Sequence, residues 1–214
     1  MSQPFLVKTL AVAGMSLAGL FSSAMAAEYQ IDPAHSEIVF RVKHMGISTV
    51  TGRFDKVEGS FDVDPKKLAA TKGTAKIEVA SINTNNEKRD GHLKGPDFFD
   101  AAKFPQITYT GKSVRKINMA DTTCELVGDL TMHGVTKEIV LKVKGSGIII
   151  DPWGNERAAF HAEGKIDRQE FGLKWSNLVE STGSLVVGNE VSLDLSFEGV
   201  RPAPAAATQE TKKK

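Results

Sequence analysis

The residues best suited to chemistry lie in one stretch, residues 85–105. It opens with a pair of asparagines and then brings Arg89, Asp90 and His92 close together. Three aromatic residues follow at Phe98, Phe99 and Phe104. Polar groups beside a cluster of rings are typical of the rim of an apolar pocket, where the polar groups hold a ligand's head. The stretch is also the longest connection without strand character, and such loops are disproportionately functional.

A purely structural explanation exists for each of these residues. Arg89 can form an ion pair with a neighbouring acid, Asp90 or Asp97, and the phenylalanines can plug one end of a folded domain. Asp90 and His92 can also form an acid/base pair, although two nearby titratable groups in a loop are weak evidence for catalysis. The sequence alone leaves these alternatives open.

Other kinds of chemistry find little support. The five histidines show no metal-binding spacing, and the single cysteine offers no Cys pair. No Gly-x-Ser-x-Gly nucleophile elbow and no glycine-rich phosphate loop occurs. We therefore predict no catalytic residue, no metal and no cofactor.

The first 26 residues have the composition of a secretory signal peptide. Lys8 is followed by an uncharged, largely apolar run that ends in Ala24-Met25-Ala26, a small-x-small cleavage pattern. Residues 27–214 then carry 26 basic and 26 acidic side chains, so no basic excess points to nucleic-acid binding. One cysteine, Cys124, cannot form an intrachain disulfide, so the exported domain must be held together by core burial.

From Tyr29 onward, one short alternating segment follows another. Ile38, Phe40, Val42 and His44 share one face of such a segment, and charged residues occupy the other. About eight such segments, without a long helix to cover a sheet, predict an all-β domain over residues 27–200. Either a closed antiparallel barrel or a two-layer sandwich would bury the apolar faces. Small inward residues such as Ala158 and Ala162 would leave an eight-stranded barrel room for one small ligand.

Residues 201–214 have little to bury and are predicted to be disordered. The three terminal lysines suggest either a solvated tail or transient contact with an anionic membrane surface.

Five ordered motifs resemble those of the YceI-like family of exported lipid-binding proteins, and the match runs from about Tyr29 to Val200. The motifs are Asp32-Pro33-Ala34-His35-Ser36, Arg89-Asp90-Gly91-His92-Leu93, Asp97-Phe98-Phe99-Asp100, Gly128-Asp129-Leu130-Thr131 and Arg168-Gln169-Glu170-Phe171-Gly172-Leu173. The resemblance implies a lipocalin-like barrel, with short helical segments in the 85–104 connection, around a long apolar tunnel. Members of the family are periplasmic or secreted, often homodimeric and not known as enzymes, so the resemblance implies a periplasmic protein that is not an enzyme; the small-x-small pattern predicts cleavage near Ala26.

The resemblance further implies an isoprenoid lipid or another long-chain amphiphile as ligand, with a polyprenyl phosphate or a quinone tail as examples. The residues assigned to ligand binding on this basis are Phe40, Val42, His44, Arg89, His92, Phe98, Phe99, Phe171 and Trp175. We expect a carrier or storage protein, or one with a role in the stress response. The alternative is a hydrolase or isomerase of small lipids that uses His92 and Asp90, and a third option is a solid, filled barrel without a ligand.

Overall fold

The computed structural model describes residues 28–64 and 67–202, most of which form β-strands or tight turns. The predicted signal peptide, residues 1–26, and residues 203–214 of the predicted tail lie outside this part of the chain. The strands are β1 (Tyr29–Ile31), β2 (Glu37–His44), β3 (Ser48–Phe54), β4 (Val57–Asp62), β5 (Lys72–Glu78), β6 (Ile82–Asn83), β7 (Gln106–Asn118), β8 (Thr123–Met132), β9 (Val135–Ile150), β10 (Asn155–Asp167) and β11 (Val187–Pro202). The last strand therefore ends two residues beyond the predicted domain boundary.

Antiparallel pairing closes these strands into a barrel. β1 and β2, β3 and β4, and β5 and β6 each follow one another as two parts of a single bent wall strand, so the wall has eight strands. Closure occurs because β1 pairs with β4 on one side and with β11 on the other. The predicted all-β barrel is confirmed, and the sandwich alternative is wrong, since a sandwich would leave the sheets open at their edges.

The alternation seen in the sequence sets which side chains face inward. In the β2–β11 pair, Phe40 lies opposite Leu193 and Val42 lies opposite Val191. Phe40 reaches across the neighbouring strand at Gly52, where a Cβ atom would lie 2.3 Å from the ring. Only glycine therefore allows the ring to lie there.

One short helix covers the end of the barrel at which β6 leads into β7. Helix α1 (Glu87–Lys94) begins after Asn86, whose side chain accepts a hydrogen bond of 3.0 Å from the Arg89 amide. Tight turns continue to Phe104, with hydrogen bonds such as that from the Phe99 amide to the Leu93 carbonyl. The predicted helical segments in the 85–104 connection are thus present. No helix in residues 28–64 and 67–202 is long and apolar enough to cross a membrane.

Four connections meet at this helix-covered end, which we call the closed end: β2–β3, β6–β7, β8–β9 and β10–β11. The β4–β5, β7–β8 and β9–β10 connections meet at the opposite end, which we call the open end. The two ends differ in how they are covered, and this difference determines the shape of the site.

The β9–β10 turn at the open end is organised by one buried carboxylate. Asp151 accepts hydrogen bonds from the Trp153 amide at 3.0 Å, the Asn155 amide at 2.8 Å and Nε of Arg157 at 2.9 Å. Burial by itself would raise the pKa of the Asp151 carboxyl, but these hydrogen bonds outweigh it and lower that pKa to about 2.

This carboxylate predicts a specific acid sensitivity. Because the pKa of Asp151 is lower in the folded than in the unfolded chain, its contribution to stability is complete above about pH 4 and is lost as the pH falls towards 2. As the pH is lowered from 5 to 2, the urea concentration at the unfolding midpoint should fall more steeply for the natural protein than for Asp151→Asn. Parallel curves for the two proteins would contradict this assignment.

Candidate functional site

The barrel encloses a hollow of about 610 Å³, which we call the main cavity. Its volume lies within the range of about 300–1,000 Å³ that is usual for ligand sites. The lining is predominantly aliphatic and aromatic, and every wall strand contributes to it, with members such as Val42, Phe61, Ile77, Tyr109, Leu126, Val143, Ala162 and Leu193. Several inward side chains, including Val42, Val143 and Leu193, are only half-buried because they face this space. The filled-barrel option is therefore wrong.

The main cavity is closed at one end and open at the other. At the closed end its lining residues are covered, and Phe98, Arg168 and Leu173 are fully buried. At the open end, Met119 and Ile148 line the cavity and are also exposed to solvent. A ligand in the barrel would therefore have one shielded end and one end near bulk water.

A second hollow of about 240 Å³ adjoins the closed end, and we call it the side pocket. It shares Phe40, Val42, Leu93, Phe98 and Val187 with the main cavity, so one layer of side chains forms a wall common to both. Its remaining lining residues include more polar types, although the surface that lines the pocket is almost entirely apolar; they are Lys43, His44, Val50, Thr84, Arg89, His92, Trp175 and Val186. The protein thus places a second, smaller chamber beside the main cavity, with several polar side chains among its lining residues.

Arg89 is the best-placed cation of the side pocket. Its Nε donates to the Thr84 hydroxyl and its Nη2 to the Thr84 carbonyl, both at 2.7 Å. Asp90 does not pair with Arg89, because its carboxylate accepts from the Thr84 amide and hydroxyl. Asp97 pairs instead with His92. The ion pair considered for Arg89 is therefore not formed, and Nη1 makes no hydrogen bond within the described chain.

His92 lies at the centre of an aromatic group. Its ring meets Phe98 edge-on at 5.0 Å and Trp175 edge-on at 5.4 Å between centroids, and its Nε2 lies 2.9 Å from Asp97. Asp90 is bound to Thr84, so the acid/base pair required by the enzymatic alternative is not formed in this structure.

The structure brings together most of the nine predicted ligand residues. Phe40, Val42 and Phe98 line both hollows, Phe99 lines the main cavity, and His44, Arg89, His92 and Trp175 line the side pocket. Phe171 is different, because it is 1% exposed, belongs to the hydrophobic core and lines neither hollow. Phe104 also lies elsewhere and packs on His133 at 4.5 Å.

Arg168 is a site residue that the sequence reasoning did not assign. Its side chain is 4% exposed and lines the closed end of the main cavity. It donates to the carbonyls of Leu173, Trp175, Val187 and Gly188 and to the side chain of Asn189. Burial lowers the pKa of this guanidinium. Arg168 therefore joins the long β10–β11 connection to the start of β11 at the closed end.

A group of possible metal ligands lies away from both hollows. Ligand atoms of Asp32, His35 and Glu198 are all within 4.8 Å of one another. However, Nη1 of Arg157 donates to Asp32 at 3.0 Å and to Glu198 at 2.6 Å. A guanidinium already neutralises these carboxylates, so we interpret the group as an ion network.

Comparison with known proteins gives a consistent picture. The sequence model of the YceI-like domain family matches residues 29–199 of this chain. Protein YceI of Escherichia coli O157:H7 is 40% identical over 193 residues, which cover 88% of this chain and 96% of that protein. The crystal structure of the Campylobacter jejuni YceI protein superposes with a TM-score of 0.63 at 33% identity, covering 74% of this chain and 89% of the other. A polyisoprenoid binding domain from Saccharophagus degradans has the same fold, with a TM-score of 0.55 at 19% identity, covering 82% and 98%.

Proposed function

This chain belongs to the YceI-like domain family, and on that basis we propose that it is a non-catalytic binding protein that encloses an isoprenoid lipid in its barrel. The observation that carries this proposal is the apolar main cavity of about 610 Å³ inside a closed barrel. The Saccharophagus degradans domain of the same fold, which is a polyisoprenoid binding domain, is in accord with it.

Burial energies make such binding feasible. A chain with ten buried methylene equivalents gains about 8 kcal/mol at roughly 0.8 kcal/mol for each. Association costs about 4–15 kcal/mol. Longer isoprenoids therefore bind by burial of the chain, and the polar groups of the site need only orient the head.

The single cysteine allows a direct test of occupancy. Cys124 lines the main cavity, and burial raises the pKa of its thiol, so it reacts slowly even without ligand. We expect geranylgeranyl phosphate to slow its labelling by a small apolar maleimide at least tenfold. The control is Cys124→Ser with Lys142→Cys, which moves the thiol to the outer face of β9; ligand should leave its labelling rate unchanged. Equal rates at Cys124 with and without ligand would contradict the proposal.

Arg89 is proposed to bind the head of the ligand from the side pocket. A guanidinium without a carboxylate partner favours an anionic head such as a phosphate. Hydrogen bonds to a charged group contribute about 1.5–3 kcal/mol, or about 10- to 150-fold in affinity. Arg89→Met should lose this factor for a prenyl phosphate and very little for the prenyl alcohol of the same length, as measured by calorimetry.

The matched control for this variant is Arg115→Met. The guanidinium of Arg115 pairs with Glu125 at 2.9 Å and lines neither hollow, so its loss should not change the affinity for either ligand. An equal loss of phosphate and alcohol binding in Arg89→Met would show that Arg89 serves the fold rather than the head.

Further parts of the proposal follow from the family resemblance. The protein is proposed to reside in the periplasm after cleavage near Ala26. Its role there is to transport or store the lipid, or to act in the stress response. It is also proposed to form a homodimer and to contact a membrane surface transiently. Activity of the natural protein on a small lipid, lost in His92→Ala while lipid binding persists, would favour the enzymatic alternative instead.

A further inference from the structure

The open end of the main cavity is surrounded by exposed apolar side chains. Met119 and Ile148 line the cavity mouth, and Ile150 follows Ile148 on the same face of β9 with 58% of its surface exposed. Trp153, in the β9–β10 turn, is 79% exposed, and Ile149 is exposed on the outer face of β9. We call Met119, Ile148, Ile149, Ile150 and Trp153 the apolar rim.

Apolar groups exposed together in this way usually mark an interaction surface. The apolar rim is continuous with the lining of the main cavity, because Met119 and Ile148 belong to both. Tryptophan is enriched where proteins meet the interface between lipid and water, since its ring is apolar and its N–H is polar. The composition of the rim therefore fits a bilayer surface.

Charge at this end fits the same partner. Lys72 lines the cavity mouth and is exposed, and Lys144 lies on β9 a few residues before the rim. Within residues 28–64 and 67–202, neither ammonium group lies within ion-pair distance of a carboxylate. Such lysines are attracted to anionic lipid headgroups over about one Debye length.

We propose that the apolar rim docks the protein on an anionic lipid bilayer, with the mouth of the main cavity facing the acyl chains. This inference rests on the proposed function, since an isoprenoid resides in a bilayer when it is not protein-bound. Arg89 lies at the opposite end, so the apolar chain of the ligand faces the bilayer and can pass into it without crossing water.

The test compares two double variants that each place two carboxylates at one end of the barrel. Ile150→Asp with Trp153→Asp changes the rim. Ile47→Asp with Leu178→Asp changes the closed end, where these residues are 86% and 64% exposed. Co-sedimentation is measured with vesicles of phosphatidylethanolamine and phosphatidylglycerol. We expect the rim variant to bind at least tenfold more weakly than the natural protein, and the closed-end variant to bind within twofold of it.

Uptake of geranylgeranyl phosphate from dilute ethanol, measured on the same proteins, separates this inference from the proposed function. Equal uptake by the rim variant and the natural protein, together with weakened vesicle binding, supports docking through the rim. Unchanged vesicle binding of the rim variant, or an equal loss in both variants, overturns docking. A rim variant that differs only in self-association would assign the rim to a second copy and would also overturn it. Failure of the natural protein to take up the lipid would instead overturn the proposed function.

Discussion

Replacing Val143 and Leu193 by tryptophan is expected to weaken lipid binding more than 100-fold and leave the barrel folded. Both side chains face the main cavity, from β9 and β11 on either side of β10, and are only half-buried, so larger rings can extend into the hollow. The loss of room for about four methylene groups of the ligand corresponds to about 3 kcal/mol, or more than 100-fold in affinity. Calorimetric titration with geranylgeranyl phosphate measures this loss.

The control for this experiment is the same substitution on the other face of the same strands. Lys142 and Ser192 are the neighbours of Val143 and Leu193, and their side chains point away from the cavity because successive residues of a strand alternate. Lys142→Trp with Ser192→Trp should bind the ligand as the natural protein does. Full affinity in the cavity variant, with unchanged circular dichroism, would show that the ligand binds elsewhere.

The largest loss of stability is expected for Arg168→Met. The guanidinium makes five hydrogen bonds inside the protein, two of them to main-chain carbonyls of the β10–β11 connection and two to main-chain carbonyls at the start of β11. Methionine preserves much of the bulk but leaves these buried acceptors unsatisfied, at about 1–3 kcal/mol for each group that water cannot reach. We expect the free energy of unfolding to fall by about 3–5 kcal/mol in urea titrations.

Two further variants distinguish this explanation from a general effect of losing a positive charge. Arg168→Lys retains the charge but has one nitrogen in place of three, and it should recover less than half of the loss. Arg53→Met removes an exposed arginine whose partner is Asp55, and it should change stability by less than about 1 kcal/mol. Equal stabilities of Arg168→Met and the natural protein would show that the β10–β11 connection is held by other contacts.

The barrel was predictable because the alternation of apolar and polar residues along a strand is a local property of the sequence. Ile38, Phe40 and Val42 share a face in the sequence, and the same three residues face inward in the structure. The site was predictable in outline for a related reason. The polar and aromatic residues of the 85–105 stretch are close in sequence, so one helix and its turns hold them together.

The partners of individual charges were not predictable. Arg89 has acids one and eight residues away, yet it binds Thr84 because the helix cap and the end of β6 bring that residue nearer. Four of the five acceptors of Arg168 are main-chain carbonyls 5 to 20 residues away, and carbonyls have no signature in a sequence. Phe171 and Phe98 both lie outside the strands, so the alternation of residues does not show which of them packs in the core and which lines a cavity.

The most direct test of the central claim is native mass spectrometry of the protein purified without detergent from cells that make it. We predict a protein–ligand species whose extra mass disappears on denaturation and whose organic extract contains an isoprenoid chain. The extra mass should also be absent from the Val143→Trp and Leu193→Trp double variant. A natural protein with only the mass of its own chain, and an extract without any hydrocarbon, would contradict the claim that this barrel encloses a lipid.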